Sequence, residues 1–277
     1  MSVTTESRAS APSMAAPSTS TYRLGFLRLM RSEAIKLFTL RSTWWSLAVT
    51  VLLAVGISLL IAVIMNSLPD APGRMATNPT MAVVSPLQFT MLVAGILGAM
   101  AITGEYSTGM IRSSLTAEPR RGAVLLAKAL IVAATLIATT VVTSLISVLV
   151  VTPVYGENGF DWGNAELTWI PLAYAVVSMA TFGLLGLGSG FLIRNGAGAI
   201  AATVGILFVL PIVMSLFTFG GPSWQWLIDL YNYLPSIAAQ ALTTNPANET
   251  VRNVVVLLAW PAAALLGGWT VLRVRDA

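Results

Sequence analysis

Six long apolar runs, separated by short polar stretches, organise this chain of 277 residues. A helix rises about 1.5 Å per residue, so a hydrocarbon core about 30 Å thick takes roughly 20 apolar residues to cross. Trp44–Met65, Ala82–Thr103, Ala123–Val151, Trp169–Ile193, Gly196–Phe219 and Asn253–Leu272 all reach that length. None alternates apolar and polar positions with period two, which argues against a β-barrel. The expected fold is all-α: a polytopic membrane protein with six transmembrane helices. The third run exceeds the length of a span, so either its first turns lie at the interface or the helix is tilted. Pro86, Pro211 and Pro261 fall inside runs and are read as tolerated kinks.

A different period precedes the first run. Between Tyr22 and Arg41, Leu27, Met30, Ala34, Leu37 and Phe38 recur at three- and four-residue spacing. Arg28, Ser32, Glu33 and Lys36 fall on the other side, and Arg31 lies at the edge of the stripe. This predicts an amphipathic helix lying in the membrane interface, carrying Arg28, Arg31, Glu33, Lys36 and Arg41, with its arginines toward the lipid headgroups. Anchoring and docking are compatible roles for it. Residues 1–21 are rich in Ala, Ser, Thr and Pro and lack the apolar core of a secretory signal. They are expected to be a disordered tail, with 22–277 forming the six-span domain.

Composition agrees with the pattern. The chain is 56% hydrophobic and 9% charged, with a mean hydropathy of +0.81. A soluble domain is about 25% charged, so a water-facing surface of this size cannot be built here. There is no cysteine and no histidine. Disulfides, thiolate chemistry, zinc–thiolate sites and the usual neutral-pH proton carrier are excluded.

The charges are distributed unevenly. With the N-terminus inside, thirteen of the fifteen Lys and Arg residues fall on the inner side, leaving only Arg74 and Arg252 outside. Asp70, Glu157, Asp161, Glu166, Asp229 and Glu249 fall outside. The positive-inside rule then predicts that both termini are cytoplasmic. The formal charge of +4 follows from topology and implies no nucleic acid partner. No Asp, Glu, Lys or Arg lies in the middle of a run, which weighs against an ion-coupled carrier.

Three polar features carry candidate chemistry. The connector from Gly104 to Gly122 concentrates Glu105, Arg112, Glu118, Arg120 and Arg121. Within it, Ser107–Ala117 is expected to form a short helix with Met110, Ile111 and Leu115 as apolar contacts, and Pro119 disfavours helix at Glu118. Such a connector is either a solvated topogenic loop or a docking element. Thr135, Thr139, Thr143 and Ser147 stack at four-residue spacing, and Gln88 is the one amide well inside a run. These residues either line a polar passage or pack helices together. Gly183, Gly186, Gly188 and Gly190 are read as close-packing positions. Finally, Trp224, Trp226, Tyr231 and Tyr233 predict a short interfacial helix near Ser223–Tyr233 and another after Pro235.

Several of these stretches together resemble a known family. Arg41-Ser42-Thr43-Trp44-Trp45 leads into the first run. Gly104-Glu105-Tyr106-Ser107-Thr108-Gly109-Met110-Ile111-Arg112 follows the second, and Pro119-Arg120-Arg121 with Lys128 opens the third. From about Tyr22 onward the chain resembles the permease subunit of a bacterial type-2 ABC transporter. In that family the Glu-x-x-x-Gly-x-x-Arg stretch, here Glu105, Gly109 and Arg112, belongs to a loop whose coupling helix contacts an ATPase. The resemblance therefore implies that Gly104, Glu105, Tyr106, Thr108, Gly109, Met110, Ile111, Arg112 and Leu115 meet such a partner. It also implies partly re-entrant external helices between spans five and six.

The chain contains no Gly-x-x-x-x-Gly-Lys-Ser/Thr loop, so the resemblance puts ATP and Mg on a separate ATPase subunit. Two ATPases would work with two copies of this chain, or with this chain and a related permease. The implied activity is export of a hydrophobic or amphipathic substrate across the cytoplasmic membrane, because no feature suggests docking of an external binding protein. Two other classes stay open: a secondary transporter, and a membrane-anchored structural or regulatory protein without transport activity.

Overall fold

A computed structural model describes residues 25–67, 78–118, 120–156, 159–217 and 224–274. Its order is α1 (Phe26–Thr39), α2 (Arg41–Ser67), α3 (Pro79–Val84), α4 (Leu87–Thr108), α5 (Met110–Ala117), α6 (Arg121–Tyr155), α7 (Trp169–Ile193), α8 (Gly196–Val204), α9 (Leu210–Ser215), α10 (Gln225–Tyr231), α11 (Pro235–Thr244) and α12 (Thr250–Val274). No strand occurs among the described residues. The tail 1–21 and the loop positions Asp70, Arg74 and Glu157 lie outside them.

Among the described residues six helical stretches are long and apolar enough to cross a membrane: Arg41–Ser67, Pro79–Thr108, Arg121–Tyr155, Trp169–Ile193, Gly196–Ser215 and Thr250–Val274. They correspond one for one to the six apolar runs, and they make the chain a multi-pass membrane protein. The fourth span keeps its expected bounds, and the first, second, third and sixth extend past the hydropathy limits by two to five residues at each end; the fifth helical stretch ends at Ser215, and its expected limit at Phe219 lies outside the described residues. Helices continue beyond the hydrocarbon core wherever the backbone has no reason to stop, and hydropathy does not register that extension.

Proline leaves its mark on two spans. In the second, Ser85 and Pro86 form a turn that separates α3 from α4. In the fifth, α8 and α9 are joined by a π-helical turn over Gly205–Val209. Pro211 offers no N–H to the carbonyl four residues back, so the turn widens just ahead of it.

The bundle is built around α7. Of its most apolar 18-residue stretch 72% is buried, against 22% for α2. The approach of α4 to α7 is closer than side chains allow. A Cβ on Gly98 would stand 1.9 Å from the carbonyl oxygen of Gly183, and one on Gly186 would stand 2.0 Å from that of Gly95. Gly188 does the same against Ala264 of α12. The span-four glycines are thus packing residues, as their spacing suggests. The main core joins Met91, Leu97, Leu136, Met179, Phe182, Leu207, Leu242 and Leu257. It includes Ala239 and Leu242 of α11, so that helix is inserted into the bundle and does not lie on its surface. In contrast α10 buries none of its residues and presents Trp226.

Candidate functional site

The ends of the helices gather the functional candidates. The Glu105 region was expected to be loop, but α4 runs on to Thr108, so Glu105 sits in its last turn. Gly109 then takes a left-handed conformation, φ +70°, which a side chain would strain. That turn ends α4 and starts α5 immediately. The short helix expected over Ser107–Ala117 therefore spans Met110–Ala117.

Four charged side chains meet beneath this elbow. Lys128 Nζ in α6 donates to Glu33 Oε2 at 2.5 Å, to Glu105 Oε1 at 2.9 Å and to the Ala101 carbonyl at 3.4 Å. Lys36 Nζ in α1 donates to Glu33 Oε1 at 2.7 Å, to Glu105 Oε1 at 3.1 Å and to Ser114 Oγ of α5 at 3.0 Å. An ammonium has three donors, and each lysine uses all three. Glu33, Lys128 and Glu105 are 3%, 4% and 7% exposed, so these pairs are screened little by solvent. The cluster is neutral overall, and it joins α1, α4, α5 and α6.

Electrostatics hold the α1 members in their charged forms. Burial pushes the Glu33 carboxyl up, but Lys128 and then Lys36 outweigh it and keep it below the ordinary carboxylate value. Burial pushes the Lys36 ammonium down, and Glu33 and Glu105 more than offset that, raising it above the ordinary lysine value. One oxygen is left over: Glu105 Oε2 is buried with no partner among the described residues. A cavity of about 280 Å3, walled by Leu37, Met100, Met110 and Ile131, opens beside the cluster.

This overturns the expected orientation of α1. Glu33 was assigned to the polar side, opposite the apolar stripe, yet it is buried and points into the bundle with Leu37. Leu27 and Phe38, assigned to the apolar face, are 80% and 42% exposed. The helix is rotated because Glu33 finds Lys128, and a buried charge with a partner outweighs the burial of two apolar side chains that are free to face lipid. Arg28, Arg31 and Arg41 do lie on the exposed side.

The elbow has two faces. Ile111 is 2% exposed and packs with Ile102, Leu187, Phe191 and Leu272, and Leu115 and Tyr106 pack against that group. Met110, Arg112, Ser113 and Thr116 face outward, as do Gly104, Thr108 and Gly109. Ile111 and Leu115 therefore need no outside partner, contrary to expectation, because the bundle itself covers them. Two arginines brace the same end. Arg121 donates to the Leu272 carbonyl at 2.5 Å and Arg194 to the Val271 carbonyl at 3.0 Å, so both cap the last turn of α12. The Arg194 guanidinium also stands 5.4 Å from the Tyr106 ring centre.

The hydroxyl ladder is bonded to its own helix. Thr135, Thr139 and Thr143 donate to the carbonyls of Ile131, Thr135 and Thr139, and Ser147 meets Ser58 of α2 at 3.4 Å. Thr143 and Ser147 border a cavity of about 30 Å3, which has room for water and nothing larger. Gln88 is half-buried in the first turn of α4 and does not line that cavity.

Of these residues, Lys128, Ser114, Arg121 and Arg194 were not singled out as site residues by pattern. The available signal was weak: Lys128 is a lysine several residues into an apolar run. No protein-family model matches the chain, and no curated protein matches it.

Proposed function

We propose that this chain is the membrane-spanning permease subunit of an ATP-driven exporter of the type-2 ABC class, seated in the cytoplasmic membrane. One observation carries the reading: the elbow has an outward face of Met110, Arg112, Ser113 and Thr116 on a helix whose inner side is tied into the bundle. A partner pressing on α5 acts through Ser114 on Lys36, and through Lys36 on Glu105 and Glu33. Lys128 carries the displacement into α6, the longest span. Rigid coupling between a docking helix and a span is what the conversion of ATPase closure into helix movement requires. The partner is a separate ATPase holding ATP and Mg, expected as two copies with two permeases.

The rest of the reading fits this arrangement. The arginine-bearing side of α1, with Phe38 and Trp44 beside Arg31 and Arg41, suits an interfacial helix against anionic lipid. Both termini are then cytoplasmic. The substrate is a hydrophobic or amphipathic molecule.

A second reading has one observation in its favour. The unpartnered Glu105 Oε2 is the kind of buried carboxylate that a proton-coupled secondary transporter uses. The two readings separate on energy source. A photo-crosslinking residue at Met110, in native membranes, is expected to trap a polypeptide with a nucleotide-binding loop. Arg112→Ala is expected to keep membrane insertion and weaken that crosslink, while transport falls with ATP depletion. Transport that follows the proton gradient, with no ATPase trapped at Met110, would replace the first reading by the second.

A further inference from the structure

The other end of the bundle holds a much larger cavity, about 930 Å3. That is the size of a site for a small organic molecule, roughly 300–1,000 Å3. Ile61 and Met65 of α2, Met81 of α3, Tyr155 of α6 and Pro171 of α7 give it apolar and aromatic walls. The end of α11 and the residues after it, Thr243–Ala247, close the far side.

Its walls also carry polar groups, one of them charged. Asn78 Nδ2 donates to the Leu167 carbonyl at 2.6 Å, which ties the segment entering α3 to the segment entering α7. Thr80 lies just past the tie on one segment, and Glu166 just before it on the other. Thr80 is 1% exposed, and its Oγ1 has no partner among the described residues. Glu166 is the one charged residue on the described walls, and it makes no ion pair among the described residues.

We propose that this cavity binds an amphipathic organic cation: a protonated amine on an apolar, preferably aromatic, body. The amine would face Glu166 while the body fills the space between Ile61, Met81 and Tyr155. An anion of the same shape would meet the Glu166 carboxylate, which has no cationic partner among the described residues. The site needs neither nucleotide nor partner, so it stands or falls apart from the exporter reading.

The test uses the full chain, purified and placed in nanodiscs of neutral lipid. Phenylbutylamine and phenylbutyrate share one body and carry opposite charge at neutral pH. Calorimetric titration, with empty nanodiscs subtracted, is expected to show saturable binding of the amine and little of the carboxylate. Glu166→Gln should weaken amine binding by about fivefold, the upper end for a solvent-exposed ion pair, and narrow the preference. Ala247→Trp should weaken binding by placing an indole at the edge of the cavity. Asp229→Asn, on exposed α10, should change nothing. Equal binding of the two probes, or an amine preference untouched by Glu166→Gln, overturns the proposal. If Ala247→Trp lowers the thermal midpoint, the exposed Glu166 variant alone decides.

Discussion

Lys128 holds two carboxylates at once, and the consequences of losing it can be ranked. Removing one partner from a buried ionic cluster leaves an uncompensated charge and costs about 3–5 kcal/mol, whereas replacing all partners by apolar residues can be neutral. Lys128→Ala is therefore expected to lower the thermal midpoint of the detergent-purified protein sharply. Adding Glu33→Gln should recover part of the loss, giving a coupling energy of about 1 kcal/mol or more in a double-mutant cycle. A Lys128→Ala variant that melts like the parent would mean that the four charges are not a clamp. This cluster was hidden from pattern reading for a physical reason. Periodicity sorts charged residues to the solvent side of a helix, and only a partner can reverse that for Glu33. The partner lies 95 residues further along the chain, so nothing local records it. Glu105 suffered the same way, since a charge just past an apolar run reads as loop when in fact α4 carries it inward.

Two elements carry their own tests. Helix α1 is held by charge, so its docking depends on pH at both extremes. Glu33 sits below its ordinary value of 4.5, so its contribution is complete above that value and is lost as pH falls through the folded-state value. Lys36 sits above its ordinary value of 10.5, so its contribution is complete below that value and is lost only as pH rises through the folded-state value. Amide exchange over 26–39 is thus expected to stay slow between those limits and to accelerate below the lower one before α7 responds. Simultaneous loss of α1 and α7 protection would show that the cluster does not dock α1 on its own. In α6 the ladder gives a second case. Each threonine hydroxyl is already bonded to a carbonyl one turn back, so Thr139→Val with Thr143→Val should change stability by less than about 1 kcal/mol. Substrate choice should be unchanged as well. An altered substrate profile in a well-assembled double variant would restore the ladder as a passage. The four-residue spacing of these threonines was plain in the sequence. Whether their hydroxyls face a ligand or their own backbone was not, because both share that spacing.

At the scale of the whole molecule, the six spans were legible because hydropathy and length are nearly sufficient for a helix in lipid: each backbone group must be bonded within its own segment. The central position of α7 was half legible, in its glycines, which signal close approach without naming the neighbour. The use of Arg121 and Arg194 as caps for α12 was not legible, since a basic residue at a span end satisfies the topology rule whatever its side chain bonds to. Topology nonetheless remains the premise on which the exporter reading depends. Arg112, Arg120, Arg121, Arg194 and Arg273 collect at the end of the bundle that carries the elbow, while Asp161 and Glu166 lie at the other. Positive residues are retained inside, so the elbow should face the cytoplasm. The chain has no cysteine, so single cysteines report cleanly. Ser113 and Asp161 are both exposed and stand at opposite ends, and Ser113 carries no charge whose loss could disturb orientation. A membrane-impermeant thiol reagent on intact cells should label Asp161→Cys and spare Ser113→Cys, and permeabilised cells should show both. The reverse result would put α5 on the outer face, where no ATP-driven partner could reach it, and the coupling role of Met110 and Arg112 would fall with it.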